Sequence, residues 1–167
     1  MAAIVLTGAA LAQSTGAPLA PAISAPVEAA FSRMLAAPSV KAALAAIEAD
    51  DERTLRDQIE LTEIPAPPFK EAVKAAEYLK RVKALGFMDA KIDSEGNVIA
   101  RRAGKGGGPT LVVSAHLDTV FPEGTDVKVK KQGERYSAPG IYDDNRGLAA
   151  LLSVMRAMQS GALKTVG

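Results

Sequence analysis

The sequence of 167 residues contains no cysteine and a single histidine, His116. The absence of cysteine excludes a disulfide scaffold, a thiolate metal site and a cysteine nucleophile. Any metal site in this chain must therefore use oxygen and nitrogen ligands. Because only one imidazole is present, this polypeptide alone cannot complete a mechanism that needs two.

An excess of charge of either sign is also absent. Lysine and arginine number 20 and the acidic residues 19, so the formal net charge is +1. This balance gives neither the basic surface of a nucleic-acid-binding protein nor the self-repulsion of a disordered chain, and we expect no nucleic-acid partner. Hydrophobic residues make up 48% of the sequence, which is enough for one globular domain with a core.

The first 27 residues carry no charge at all. Their apolar stretch 4–12, followed by Gln13 and Ser14, is typical of a secretory signal, although no Lys or Arg precedes Arg33. A disordered tail rich in alanine and proline is the alternative. We assign residues 1–28 to this signal-like or disordered segment, and the apolar stretch 4–12 within it is too short to span a bilayer. The expected location is periplasmic or secreted, with a cytoplasmic location as the alternative.

Apolar residues at helical spacing predict helices from about residue 29 onward, interrupted where prolines occur. Ser39 and Asp51 are candidate N-caps for two of these helices. Pro65, Pro67 and Pro68 exclude a helix between the third and the fourth, and Gly86 is expected to end the fourth. A last helix is predicted over 148–158, ending near residue 161.

The hydrophobic period changes from 3.6 to 2 after Gly86. Alternation over 90–100 around the turn Ser94–Asn97 predicts a hairpin. The apolar run Thr110–Ala115 predicts a strand buried on both faces, and the more polar run Val127–Lys130 predicts an exposed strand. Helices, a hairpin, a buried strand and another helix together indicate an α/β fold.

The segment Ser114–Val120 places the one imidazole at the end of the predicted buried strand, with Asp118 two residues beyond His116. Residues i and i+2 of a strand point the same way. A carboxylate in that position can fix the tautomer of the imidazole and make its other nitrogen a better metal ligand. The alternative is a histidine with a purely structural hydrogen bond.

Two adjacent acids, Asp143 and Asp144, lie on a loop that leads into the last predicted helix. Either could simply cap that helix. Two neighbouring carboxylates repel each other unless a positive group, such as Arg146 or a divalent cation, lies close by. With His116, they could form a carboxylate and imidazole site for a metal such as Zn²⁺.

Four segments occur in an order and spacing that resemble the zinc-dependent M20 metallopeptidases, a family that includes peptidase T, glutamate carboxypeptidases, aminoacylases and desuccinylases. The segments are Ile64–Glu71, Asp93–Val98, Ser114–Pro122 and Ala138–Gly147. The resemblance covers roughly residues 40–160. It implies an incomplete three-layer α/β/α zinc-exopeptidase-like domain with a mixed sheet, preceded by N-terminal helices. Residues 29–167 would then be the N-terminal portion of a metallopeptidase catalytic domain.

The resemblance also implies roles for individual residues. His116 and Asp143 match metal ligands of the family, Asp143 as the carboxylate that bridges two zinc ions, which Co²⁺ or Mn²⁺ can replace. Asp118 matches the catalytic-site carboxylate that orients the imidazole, whereas the role of Asp144 is left open. The implied substrates are peptides or N-acyl amino acids, hydrolysed by zinc-activated water.

The sequence departs from the family pattern after the fourth segment. Residues Leu148–Gly167 contain no Asp, Glu or His, so the general base, the remaining ligands and the substrate-binding lid domain of the family are missing. Asn145 and Arg146 stand where many members have Lys and Gly. We expect this chain by itself to bind zinc weakly and to be inactive as a peptidase. A homodimer is expected only if the whole protein has the lid domain.

Two functions are therefore expected from the sequence. The first is an M20-type metal-dependent peptidase or amidohydrolase. The alternative is a non-catalytic remnant or interaction module that retains a partial metal site.

Overall fold

The computed structural model describes residues 23–104 and 106–160. Its elements, in chain order, are α1 (Ala25–Ala36), α2 (Pro38–Ala49), α3 (Asp51–Thr62), α4 (Ala72–Ala84), β1 (Lys91–Ile92), β2 (Val98–Ile99), β3 (Lys130–Gln132), β4 (Arg135–Ser137) and α5 (Asn145–Ser160). The mixture of helices and short strands agrees with the predicted α/β class. The signal-like stretch 4–12 and the predicted helix end near residue 161 lie outside the described residues.

The helices lie where the hydrophobic spacing predicts them, but both predicted N-caps, Ser39 and Asp51, are wrong. Pro38 occupies the first turn of α2 and Ala37 is its N-cap, because the fixed φ and missing N–H of proline suit that turn without a side-chain cap from Ser39. Asp51 is already inside α3, and Asp50 is the N-cap. Helix α1 begins at Ala25, four residues before the predicted start.

The boundaries of α4 follow the proline and glycine signals. The prolines of 65–68 lie in an irregular segment between α3 and α4. Gly86, two residues beyond the end of α4, has a φ of 94°, the left-handed conformation that commonly ends a helix. Both expectations are confirmed.

The predicted hairpin is present as the antiparallel pair β1 and β2, with Lys91 opposite Ile99 and Ile92 opposite Val98. The carboxylate of Asp93 shapes its turn by accepting the backbone amides of Glu95 and Asn97 at 3.0 and 2.9 Å. A carboxylate that satisfies several backbone donors explains why this short hairpin forms at a Ser-Glu-Gly-Asn turn.

The exposed strand predicted over Val127–Lys130 begins later, and its partner strand was not predicted. Strand β3 starts at Lys130 and pairs with β4 in an antiparallel hairpin, with Gln132 opposite Arg135. Upstream of it, the backbone amide of Val129 donates to Glu63 Oε1 at 3.0 Å. The segment is therefore held by the end of α3 rather than by another strand.

The buried strand predicted over Thr110–Ala115 is wrong. This segment has no regular secondary structure, and Leu111 and Val112 are each 83% exposed. Apolar composition favours burial, but a strand also needs a neighbour that satisfies its backbone N–H and C=O groups. The two sheets in the described residues are the separate hairpins β1–β2 and β3–β4, so the predicted mixed sheet is not formed there.

The core lies between α3, α4 and α5. Helix α5 packs on both α3 and α2, and the Tyr78 hydroxyl of α4 donates to the Leu148 carbonyl of α5 at 3.0 Å. The buried core residues are Leu61, Tyr78, Val82, Phe87, Ala90, Leu148 and Leu152. This packing fixes the N-terminal end of α5, which begins directly after the two adjacent acids.

Helix α1 contributes no buried residue. Within the described ranges, no single helix has the length and apolarity needed to cross a bilayer. Helices α1 and α2 reach those values only as a pair, and the pair is bent by 67°.

Candidate functional site

The structure brings the three residues of the predicted site together. The His116 ring lies between two acids: Nε2 is 2.9 Å from Asp143 Oδ1, and Nδ1 is 3.2 Å from Asp118 Oδ1 and 2.9 Å from the Asp118 carbonyl oxygen. The His116 side chain is 48% exposed. The imidazole thus has a contact at each ring nitrogen while about half of the side chain remains exposed.

Asp144 joins the two chain segments of the site, a role that the sequence left open. Its carboxylate accepts the backbone amide of His116 at 3.1 Å and that of Gly147 at 3.0 Å. Its carbonyl accepts the amide of Leu148 at 3.0 Å. Asp144 therefore links the histidine segment to the first turn of α5, whereas Asp143, which follows Tyr142, contacts the ring. The peptide bond between the two acids is cis.

Two further contacts hold the loops of the site against the helical core. The backbone amide of Thr119 donates to the Ala66 carbonyl at 2.8 Å, which ties the histidine segment to the proline-rich loop. Gly140 packs so closely that a Cβ there would lie 2.8 Å from Thr119 Cγ2. Since its φ is +73°, glycine suits this position for both conformation and space.

A lysine lies buried beneath these loops. Lys74 of α4 has no exposed surface, and its Nζ donates to Asn145 Oδ1 at 3.1 Å. Burial lowers the pKa of Lys74 from its ordinary value of 10.5 to about 8, and the opposing charge of Asp118 limits that decrease. The sequence contained a signal for this residue, because Lys74, Tyr78 and Val82 follow one another at intervals of four and share the buried face of α4.

The pKa of His116 is shifted in the opposite direction. The hydrogen bond with Asp143 raises it most, partial burial opposes that increase, and Asp118 raises it further. Neighbouring carboxylates stabilise the imidazolium form. The site is therefore electronegative, and it favours a positive charge at or next to the imidazole.

Two residues of the site, His116 and Asp143, could serve as metal ligands. Ligands on one tetrahedral zinc ion lie roughly 3.3 Å apart for metal–ligand bonds of about 2.0 Å. The 2.9 Å between His116 Nε2 and Asp143 Oδ1 needs only a small opening to reach that separation, and Asp118 already orients the other ring nitrogen as in histidine–metal sites. Among residues 23–104 and 106–160, no group of three or more such side chains is arranged to hold a metal. The pair fits a divalent cation only as part of a larger ligand set.

A groove of about 310 Å³ opens beside the histidine segment. Pro68, Phe69, Leu117 and Asp118 are among the residues that line it. The Phe69 side chain is 98% exposed, and its φ is +65°, which is rare for an aromatic residue. The groove gives an extended ligand room next to Asp118.

We expect Gly147→Ala to lower the free energy of unfolding by about 1–3 kcal/mol, although an alanine inside a helix usually adds about 1 kcal/mol. A Cβ at Gly147 would lie 2.6 Å from Asp144 Cγ, so the carboxylate must move and release the amides of His116 and Gly147. Urea denaturation measures the stability change. The chemical shift of the His116 amide reports the lost bond, and a stabilised variant with an unmoved shift would contradict this prediction.

The burial of Lys74 predicts a pH dependence of stability. The pKa of Lys74 is about 8 in the folded chain and 10.5 in the unfolded chain. Between these pH values the unfolded state binds more protons, so the free energy of unfolding should rise with pH. Burial raises the pKa of Tyr78 far above its ordinary 10.0, which opposes this rise above pH 10. Urea midpoints measured from pH 8 to 10 should increase for the unmodified chain and lack that increase in Lys74→Met. Parallel curves would show that Lys74 does not titrate in this window.

Comparison with known proteins gives two similarities. Residues 97–165 match the model of Peptidase family M28, a range that contains His116, Asp118 and Asp143. The chain is also 30% identical over 93 residues to carboxypeptidase G2 of Pseudomonas sp. (strain RS-16), which covers 52% of this chain and 22% of that protein. The chain thus spans about a fifth of the length of this curated relative. Both similarities are to peptidases, and the matched family model is M28 rather than M20.

Proposed function

We propose that this chain is part of a metal-dependent hydrolase that cleaves peptide or N-acyl amide bonds. The observation that carries the proposal is the half-exposed His116 imidazole held between Asp118 and Asp143, with a groove beside it that Asp118 helps to line. The matches to Peptidase family M28 and to carboxypeptidase G2 support the same class of enzyme. Within that class, we infer from the four sequence segments an M20-type exopeptidase with a three-layer catalytic domain.

The residues of the site divide into those that would hold the metal and those that would position them. His116 and Asp143 would bind zinc, which when bound supplies a Lewis acid and a water of lowered pKa. Asp118 would keep the proton on Nδ1 and would thereby leave Nε2 as the ligand atom. Asp144 fixes the His116 backbone to α5. This contact would keep the imidazole and the Asp143 carboxylate in the same relative position. The groove lined by Phe69 and Leu117 would accept the substrate next to them.

The complete enzyme needs more groups than these. We propose that Asp143 would be a ligand in a site for two zinc ions, and that the other ligands, the general base and a lid domain would come from outside this sequence. Dimerisation through that lid and a periplasmic or secreted location belong to the same proposal. Since a catalytic zinc site usually has three protein ligands, the 167-residue chain by itself should bind zinc weakly and should not hydrolyse peptides.

His116→Ala tests the metal site directly. Removing the only imidazole leaves Asp143 without its partner ligand, so zinc binding by the chain should be abolished. Calorimetric titration with Zn²⁺ and the zinc content after dialysis measure the loss. Glu52→Gln, which changes a side chain that is 95% exposed, is the control and should leave zinc binding unaltered. Unchanged zinc content in His116→Ala would disprove the assignment.

A non-catalytic module with a partial metal site is the second candidate. It is favoured by the small ligand set, since His116 and Asp143 are the two candidate ligands that the described residues bring together. Hydrolysis assays separate the two functions when they use the whole natural protein with peptide and N-acyl amino acid substrates. Zinc binding without hydrolysis would support the module.

A further inference from the structure

The buried ammonium of Lys74 requires an explanation beyond packing. Moving a charged ammonium out of water costs several kcal/mol unless other groups compensate. A methionine would fill a similar volume in this helical face at no electrostatic cost. Within the described residues, the Lys74 ammonium donates to a single neutral oxygen, Asn145 Oδ1, and the neighbouring charge that favours the ammonium is that of Asp118. Both partners lie at the candidate site.

Asn145 connects Lys74 to the loop 140–145, which carries the two adjacent acids. The Asn145 side chain is 1% exposed, and its Nδ2 donates to the Gly140 carbonyl at 2.7 Å while its Oδ1 accepts from Lys74. This asparagine therefore bridges the first and last residues of the 140–145 loop, which carries Asp143 and Asp144. An ammonium can only donate, so it also fixes which end of the Asn145 amide faces Gly140.

The charges around the site give the same lysine a second effect. Asp118, Asp143 and Asp144 all lie within hydrogen-bond distance of some atom of His116. Carboxylates so close together repel one another. Lys74 is buried and its positive charge interacts favourably with that of Asp118, so it can balance the acids without occupying the exposed part of the site.

We propose that Lys74 is a positioning residue of the candidate site, which holds the 140–145 loop through Asn145 and balances the carboxylates around His116. Lys74 has no exposed surface, so it touches neither substrate nor metal and acts through Asn145 and Asp118. The proposal rests on the proposed function for its purpose. Its geometry can be tested without metal or substrate.

The single histidine makes the test direct, because every imidazole signal in the spectrum belongs to His116. In the metal-free chain at mildly acidic pH, the ring N–H protons that bond to Asp143 and Asp118 should give protected, strongly downfield resonances. Lys74→Met should abolish them in a protein that still shows helical circular dichroism. Lys74→Arg, which keeps the charge, should restore them at least in part. Lys80→Met, on the exposed side of α4 with a side chain 80% exposed, is the matched control and should leave them unaltered.

Two results would overturn the proposal. Retention of both downfield resonances in folded Lys74→Met would show that Lys74 only supports the core. If that variant does not fold, the lysine ammonium spectrum of the unmodified chain decides, with the signal assigned by its loss in Lys74→Arg. A slowly exchanging Lys74 ammonium would support the proposal, and an ammonium that exchanges as fast as the exposed ones would exclude it. Zinc titration of His116→Ala tests the proposed function separately, so either idea can fail alone.

Discussion

Asp57→Ala is expected to lower the free energy of unfolding by about 3–5 kcal/mol, the cost of breaking a buried ion pair by removing one partner. Asp57 Oδ1 lies 2.7 Å from Arg81 Nη1, and its Oδ2 lies 2.8 Å from Arg156 Nη1. The three side chains are only 11–17% exposed. One carboxylate thus joins α3 to both α4 and α5. Its removal takes the Asp57 contact from each guanidinium, although Arg81 still contacts Glu60 and Glu77 and Arg156 still contacts Asp50.

Urea denaturation of the variant and of two controls measures this effect. Glu52→Ala removes a carboxylate from the same helix, but Glu52 is 95% exposed and 3.9 Å from Arg56, so its change should stay within about 0.5 kcal/mol. Asp57→Asn keeps the shape of the side chain and removes its charge, so its loss of stability should lie between those of Asp57→Ala and Glu52→Ala. A loss in Asp57→Ala no larger than that in Glu52→Ala would mean that water already screens the pair.

The helices could be predicted because the information for them is local. Spacing of apolar residues, the prolines of 65–68 and Gly86 each act within one or two turns of the chain. The errors at the N-caps are also local. Helix α2 begins at Pro38 rather than after Ser39, since a proline in the first turn removes the need for one backbone acceptor.

The prediction of a strand over Thr110–Ala115 was wrong because strand formation depends on a partner segment, which the local sequence does not specify. Its composition is that of a buried strand, yet Leu111 and Val112 are exposed in the described structure. No pattern within six residues specifies which other segment will supply the hydrogen-bond ladder. The hairpin β1–β2 could be predicted for the opposite reason, as both strands and their turn lie within ten residues.

The site shows the same division between near and distant information. His116 and Asp118 could be paired from their spacing of two, and the adjacent acids suggested a cation site. The pairing of Asp143 with Nε2 and of Asp144 with the His116 amide depends on the packing of α5. Lys74 was missed because a lysine among alanines in a helix usually faces solvent, although its spacing from Tyr78 places it on the buried face.

Helix α5 connects the stability of the core to the geometry of the site. Its first residue, Asn145, contacts Lys74, and the Gly147 amide in its first turn donates to the Asp144 carboxylate. One turn further, Leu148 enters the core and its carbonyl accepts the Tyr78 hydroxyl. Substitutions along this helix should therefore affect the site or the core according to which of these contacts they remove.

Leu148→Ala should lower the free energy of unfolding by about 2–5 kcal/mol, the usual cost of such a truncation in a packed core. Leu148 is 2% exposed and lies in the cluster with Tyr78 and Leu152. Its backbone contacts, the amide to Asp144 and the carbonyl to Tyr78, do not involve the removed atoms. The downfield His116 resonances should accordingly persist in the folded variant, while the urea midpoint falls.

Leu44→Ala is the matched control for that substitution, since Leu44 also lies in a helix but is 51% exposed. Leu44→Ala should lower the free energy of unfolding clearly less than Leu148→Ala, because the space that it leaves is open to water. Gly147→Ala gives the converse case, with a displaced Asp144 carboxylate and an altered His116 amide for a smaller loss of stability. If Leu148→Ala also removed the His116 resonances, the site would depend on the whole core packing of α5 rather than on the contacts of its first turn.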